Sequence, residues 1–294
     1  MNNLREVRMR MNTIRQTLQI TKAMNLVSTS KLRKGRQVLR DTEPFFNRIQ
    51  KTMFDILSGS SMEKTVYLTP AKNGASRTAV IAITSDKGLA GGYNNDIFRE
   101  VDRFCANVRN PVLVLIGEIG HRHFINTPWI ILENFSFKSK LPDMEDAKEI
   151  SDYVISQYVC GMINEVHLVY THMYNTVKIV PVMKQILPLD ERKMQEDFEK
   201  RGEKRQELLF EYWPSETAVF DHLVPMYIRG VIYGALIEAY ASEHSERMTA
   251  MDEASRNAEE ILDDLQISYN RARQAGITQE MTEIIGGAST LNQE

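Results

Sequence analysis

The spacing of apolar residues divides the chain into three stretches. From Met1 to about Leu57 the Gly and Pro residues are Gly35 and Pro44 alone, and Leu4, Val7, Met11, Ile14 and Leu18 recur in steps of three and four. That spacing is a coiled-coil seam, because an average step of 3.5 keeps one apolar stripe turned toward a partner helix. After Leu18 the stripe moves to Ile20, Met24 and Val27, and the old heptad positions fall to Thr21, Asn25 and Ser28. The expectation is that the helix here turns a different face to its partner, or that the partner changes. Gly35 stands where a helix former is expected and should loosen the helix by about 1 kcal/mol.

The last stretch begins near Pro225, which suits a first helical turn, and reaches about Gly286 with no further proline. At a rise of about 1.5 Å per residue such a helix spans on the order of 90 Å, far more than a small domain, so it must project. Its predicted seam from Met251 is Ala254, Ala258, Ile261, Leu265, Ser268, Ala272 and Ala275. So many alanines would let a partner backbone approach closely.

Between the two helices the pattern alternates. Thr78 to Thr84, Val112 to Ile116 and Trp129 to Phe135 read as buried strands, with helices over Asn94 to Val108 and Met144 to Met162. Glu165 to Tyr174 and Val177 to Leu187 read as an antiparallel hairpin turning at Asn175 and Thr176, and Leu208 to Trp213 as a short further run. Helices between β-branched strands imply a largely parallel sheet. The expected class is therefore α/β: a long antiparallel coiled coil of N- and C-terminal helices plus a central Rossmann-like α/β domain. The domains are expected at 1–57, 70–213 and 214–294. The charged stretch from Asp190 to Gln206 has no apolar face and reads as an exposed helix or loop.

Charge strengthens the pairing of the ends. The first 40 residues hold ten Lys and Arg against Glu6, a local net of +9, whereas Glu238 to Asp264 carries nine acids against Arg247 and Arg256, a net of −7. Opposite charge in two long helices favours an antiparallel hairpin over self-pairing. With 43% hydrophobic and 26% charged residues the composition is that of a soluble folded chain. The longest apolar runs, such as Pro111 to Gly117, are about a third of the roughly 20 residues a membrane span needs. The N-terminus has no apolar core of a secretory signal. Cys105 and Cys160 read as small buried hydrophobes in a reducing compartment.

Chemistry is sparse. Ser85 to Asn94 (SDKGLAGGYN) places three glycines between a strand and a helix, as a phosphate-cradling turn requires. The spacing of Gly88, Gly91 and Gly92 matches neither GxGxxG nor a Walker loop, and Lys87 precedes its glycine. A tight structural turn is the favoured reading, with nucleotide binding the alternative. His121 and His123, and His167 and His172, are spaced so that each pair falls on different faces, with no ligand set nearby. Glu259, Glu260, Asp263 and Asp264 read as a solvated helix face. No catalytic set emerges, and no metal or cofactor is implied. A nucleic-acid-binding coiled coil would use the +9 segment, but the acidic partner helix and the lack of interleaved aromatics argue against it.

Three segments carry a resemblance. Ile20 to Lys34 (ITKAMNLVSTSKLRK), Thr84 to Asn94 (TSDKGLAGGYN) and Ala241 to Leu291 resemble, in order and spacing, the signature regions of the ATP synthase gamma subunits, the central rotor stalks of F-type ATPases. The likeness thins over Ser58 to Thr78 and Asn110 to Trp213. It implies a terminal coiled coil inside a ring of three α and three β subunits, and an α/β foot beside an epsilon subunit and above the membrane c-ring. It implies a non-catalytic subunit with no cofactor and no nucleic-acid partner. It further implies that Arg273 and Gln274, in ARQAGIT, hydrogen-bond to catalytic-subunit loops. Arg247 and Met24 match positions near the ring's acidic lever segment, which the basic Lys31, Arg33 and Lys34 could also face. Phe210 and Tyr212 fall where the family's foot meets the membrane ring. A start at Met1 without presequence, and no closely spaced cysteine pair of the plastid type, lead to the expectation of a bacterial protein, peripheral on the cytoplasmic side of the inner membrane.

Overall fold

The computed structural model describes residues 2–59, 65–69, 76–137, 140–175, 178–190, 192 and 212–291. In chain order the elements are α1 (Asn2–Gly59), β1 (Thr78–Ile83), α2 (Tyr93–Cys105), β2 (Pro111–Ile116), α3 (Glu118–Phe124), β3 (Ile130–Phe135), α4 (Met144–Val159), β4 (Glu165–Met173), β5 (Ile179–Leu187) and α5 (Glu216–Leu291). The chain forms two compact units, one of Met1–Ser28 with Arg247–Glu294 and one of Thr29–Glu246. Both long helices therefore supply residues to each unit.

The second unit is built on one five-stranded sheet in the order β3-β2-β1-β4-β5. β1 pairs in parallel with β2 and β4, β2 in parallel with β3, and β4 antiparallel with β5. The predicted hairpin is thus present. The central strands are buried along nearly their whole length because both faces are covered, which is why they read as unbroken apolar runs. One face carries Ile81, Val114 and Leu168 against α4, α1 (Met53, Ile56) and α5 (Phe220, Ile228, Leu236). The other carries Val80, Leu113 and Val169 against α2 (Ile97, Val101) and α3 (Phe124). α4 opens on a capping box: the Asp143 side chain accepts from the Glu145 and Asp146 amides, and Asp146 accepts from the Asp143 amide. The seven-residue α3 was not anticipated, being too short to show a period. Residues 208–211 of the predicted short run, and residues 191 and 193–206 of the charged stretch, lie outside the described residues.

Two details of the second unit correct the sequence reading. α5 starts nine residues early, at Glu216, and contains Pro225. Its true start is Ser215, whose hydroxyl accepts from the Ala218 amide at 3.2 Å as an N-cap does. Pro225 costs one ladder bond, to Asp221, and packing holds the helix across it. Cys105 is buried as expected, and burial pushes its thiol up to about 12. Cys160 is exposed, because it ends α4 rather than lining it.

In the first unit α1 and α5 run antiparallel, with Thr21 beside Ser255 and Asn25 beside Met248. The seam does not shift after Leu18. Thr21 and Ser28 are 7% and 1% exposed, so the strict heptad continues through polar residues, whereas Ile20 and Val27 are 59% and 56% exposed. The polar seam is possible where its groups are paired, at Thr21, Asn25 and Ser255. The Thr21 and Ser255 hydroxyls lie 2.7 Å apart and also bond the Leu18 and Met251 carbonyls, and Asn25 Nδ2 donates to the Met248 carbonyl at 3.1 Å. On α5 the positions turned inward are Met251, Ser255, Ala258, Leu262, Leu265, Tyr269, Ala272 and Gly276, one step from the predicted set at every second position. Ile261, Ser268 and Ala275 face outward, and Ala254 is half-buried. The charge match yields an exposed ion pair, Lys22 to Glu259 at 2.7 Å.

Candidate functional site

In the first unit, the candidate surface is the C-terminal part of α5. Arg273 and Gln274 are both exposed and stand between the inward-facing Ala272 and Gly276. The helix holds them in place while leaving their polar ends free of the seam. Around them the apolar Ile267, Ile277, Met281, Ile284 and Ile285 are also exposed. A run of uncovered isoleucines flanking a guanidinium and an amide is what a surface completed by another protein looks like. On α1, Ile20 and Val27, two turns apart on one face, and Leu26 beside them are also uncovered. The sequence reading had placed Ile20 and Val27, with Met24, in the seam.

Met24 is half-buried in the same unit, and the Asn25 to Met248 bond places it near the level of Arg247. Arg247 is 7% exposed. Lys31, half-buried, and Arg33 and Lys34, exposed, belong to the second unit. Phe210 lies outside the described residues. Tyr212 packs on the margin of the second unit's larger core, and burial, with Asp55 and Glu216 nearby, raises its phenol above the ordinary value. Trp213 beside it is 89% exposed.

The glycine turn is closed by its own side chains. Ser85 N donates to Asn94 Oδ1 at 3.0 Å, Asn94 Nδ2 to Ser85 Oγ at 2.8 Å, and Ser85 Oγ to the Lys87 carbonyl at 2.9 Å. Asp86 Oδ1 accepts from the Glu118 amide and the Ser136 hydroxyl. The turn therefore ties β1 to the β2–α3 and β3 ends. The glycine that the geometry demands is another one, Gly117, whose φ is 100° and where a Cβ would lie 2.4 Å from the Thr84 carbonyl oxygen. A Cβ at Gly88 would meet nothing within 4 Å.

The histidines take structural places. His123 stacks on Phe98 at 3.9 Å between centroids, and His167 packs on Phe104 at 4.6 Å. His172 Nδ1 lies 2.6 Å from Glu238 Oε1, a pairing between β4 and α5 that sequence spacing could not reveal. Among the described residues no group of three or more His, Cys, Asp or Glu could hold a metal ion, and no helix is long and apolar enough to cross a membrane.

Comparison with known proteins decides the family. A family model described as ATP synthase matches residues 3–291, and the ATP synthase gamma chain of Ruminiclostridium cellulolyticum is 39% identical over 292 residues, 99% of each chain. The chain belongs to the ATP synthase gamma family. Among solved structures, a chain of the central stalk and c-ring of the Tetrahymena thermophila mitochondrial ATP synthase matches with a TM-score of 0.58 at 26% identity, over 80% of this chain and 99% of that one. A chain of the Euglena gracilis mitochondrial ATP synthase matches with a TM-score of 0.66 at 16% identity, over 99% and 95%, and supports the fold alone. The sheet between two long terminal helices is thus the gamma fold.

Proposed function

We propose that this chain is the central rotor shaft of an F-type ATP synthase. In this reading its first unit lies within a ring of three α and three β subunits, and its second unit forms the foot beside an epsilon subunit on a membrane c-ring. The chain itself performs no catalysis. ATP is made or hydrolysed on the β subunits, and the assembly sits peripherally on the cytoplasmic side of a bacterial inner membrane. The observation that carries the reading is the antiparallel helix pair with polar Arg273 and Gln274 set among uncovered isoleucines, in a chain of the gamma family.

The mechanism is differential contact. A shaft with a different residue on each side cannot touch three identical catalytic subunits alike. A ligand shifts a conformational equilibrium only by its difference in affinity for the two states, and here the ligand is one face of the shaft. Turning by a third of a circle passes each contact to the next subunit, so ion-driven rotation becomes a cycle of conformations. The isoleucines would slide within an apolar collar, whereas Arg273 and Gln274 would make the few directional bonds that distinguish the three positions. Lys31, Arg33 and Lys34 would face the acidic lever segment, as would Met24, with Arg247 supporting that level from inside the helix pair. Phe210 and Tyr212 would meet the membrane ring.

The test is the double substitution Arg273→Ala and Gln274→Ala in the assembled complex. Coupled ATP synthesis should fall severalfold with the amount of assembled complex unchanged. Unchanged synthesis would remove these two residues from the contact.

A further inference from the structure

The parallel pairing of β1 with β4 ends at Ala82 and Val169, yet β4 continues to Met173 alongside β5. Past Val169 the edge of β4 that faced β1 has lost its strand partner. In an extended chain the carbonyl of one residue and the amide two residues on point to the same edge. Here those groups are the Thr171 carbonyl and the Met173 amide, and α5 takes both. Ser242 Oγ donates to the Thr171 carbonyl at 3.0 Å, and the Glu238 carboxylate accepts from the Met173 amide. Glu238 and Ser242 are four apart, so one helix face stands where β1 would have been.

Glu238 does more than close the edge. Its carboxylate also receives His172 Nδ1 at 2.6 Å and the Tyr170 hydroxyl, so three donors from four consecutive residues of β4 converge on one acceptor. Its side chain is 14% exposed, and burial pushes its pKa up while His172 and the other donors pull it back. Beside it lies a cavity of about 270 Å³, bordered by Glu43 and Gln50 of α1, Lys184 of β5 and Tyr227 of α5. A Cβ on Gly234, which borders it too, would meet nothing within 4 Å. The apolar core that joins α5 to the hairpin is interrupted at this cavity, and beside it the polar bonds to Glu238 and Ser242 bridge helix and strand.

We propose that Glu238, with Ser242 one turn on, is the clamp that passes twist from α5 to the sheet of the foot. This rests on the rotor reading. A carboxylate suits the task because it accepts several bonds from one strand at once. Glutamine would place an NH2 group among donors, and alanine would leave the Met173 amide, the imidazole and the phenol without their acceptor.

The experiment uses the assembled complex with Glu238→Gln, Glu238→Ala and Tyr170→Phe. It compares ATP hydrolysis with ion pumping, and reads torsional stiffness from a single-molecule probe on the foot. Glu238→Gln and Glu238→Ala should keep hydrolysis while losing ions pumped per ATP and stiffness, with a smaller loss for Tyr170→Phe. Should Glu238→Ala fail to assemble, the nearly isosteric Glu238→Gln and Tyr170→Phe carry the test. Wild-type stiffness and pumping in either of these assembled variants overturns the clamp and leaves the rotor reading standing. A wild-type chain that does not join α and β subunits overturns the rotor reading first, and the clamp with it.

Discussion

Two helical glycines, neither needed for a positive φ, should respond differently to the same added methyl. At Gly230 on α5 a Cβ would fall 2.1 Å from Phe46 Cδ1 and 2.5 Å from Cε1. The Phe46 ring is held edge-on by Phe45 at 5.3 Å and tilted against Tyr233 at 6.1 Å, so it cannot simply rotate away. Overpacking of this kind costs about 1–3 kcal/mol, against which alanine returns about 1 kcal/mol of helix propensity. An approach of 2.1 Å puts the cost in the upper half of that range, so the net loss is about 1–2 kcal/mol. At Gly35 the contacts are 3.2 Å to Tyr240 Cδ1 and 3.5 Å to Ala241 Cβ, which a slight shift relieves. Gly35→Ala should therefore leave stability within about 0.5 kcal/mol of wild type. Calorimetric melting of the purified chain should show Gly230→Ala lowered by about 2–6 °C and Gly35→Ala nearly unmoved. In a Phe46→Leu background the Gly230→Ala penalty should vanish. A Gly230→Ala protein that melts at or above wild type would refute the close approach of α1 and α5 at this level.

The hydroxyl pair in the seam predicts non-additivity: Thr21→Val and Ser255→Ala should each cost about 0.5–1.5 kcal/mol, and the double variant less than their sum, in a double-mutant melting cycle. Additive losses would show that the hydroxyls do not interact. Asp143 caps α4, and the Asp146 amide and Lys140 hold its carboxyl below the ordinary value. A depressed folded pKa means that stability present at neutral pH is lost as the pH falls through that value, below about 4. Asp143→Ala should cost about 0.5–1 kcal/mol at neutral pH, lower in that range because the group is solvent-screened, and should flatten the acid limb of a melting-temperature profile. An unchanged acid limb would mean that the cap carries no pH-linked stability.

How much could be read from the sequence varied with the distance between interacting residues. The strands and their hairpin were legible because each is a short apolar run with turn residues at its ends. The helix pair was legible from Leu4 to Leu18, where apolar spacing and seam coincide. It failed at Thr21, Asn25 and Ser28 because hydrophobicity reports burial only when no buried polar partner is available. Ser255 and the Met248 carbonyl are such partners, and they lie more than 200 residues away. The same blindness misplaced alternate positions of the α5 seam, where Ser255 is inside and Ile261 outside. The start of α5 was legible in Pro214-Ser215-Glu216, but Pro225 gave the louder signal. Of the candidate surface, Arg273 and Gln274 are exposed. The Glu238 clamp was invisible, because the β4 residues that meet it are brought there by the early end of β1.

The rotor account is tested most directly by attaching a probe to the exposed Cys160 of this chain, assembled with immobilised α and β subunits, and supplying ATP. The account predicts rotation in one direction, pausing at each third of a turn. A probe that stays still while ATP is hydrolysed at the full rate would contradict it.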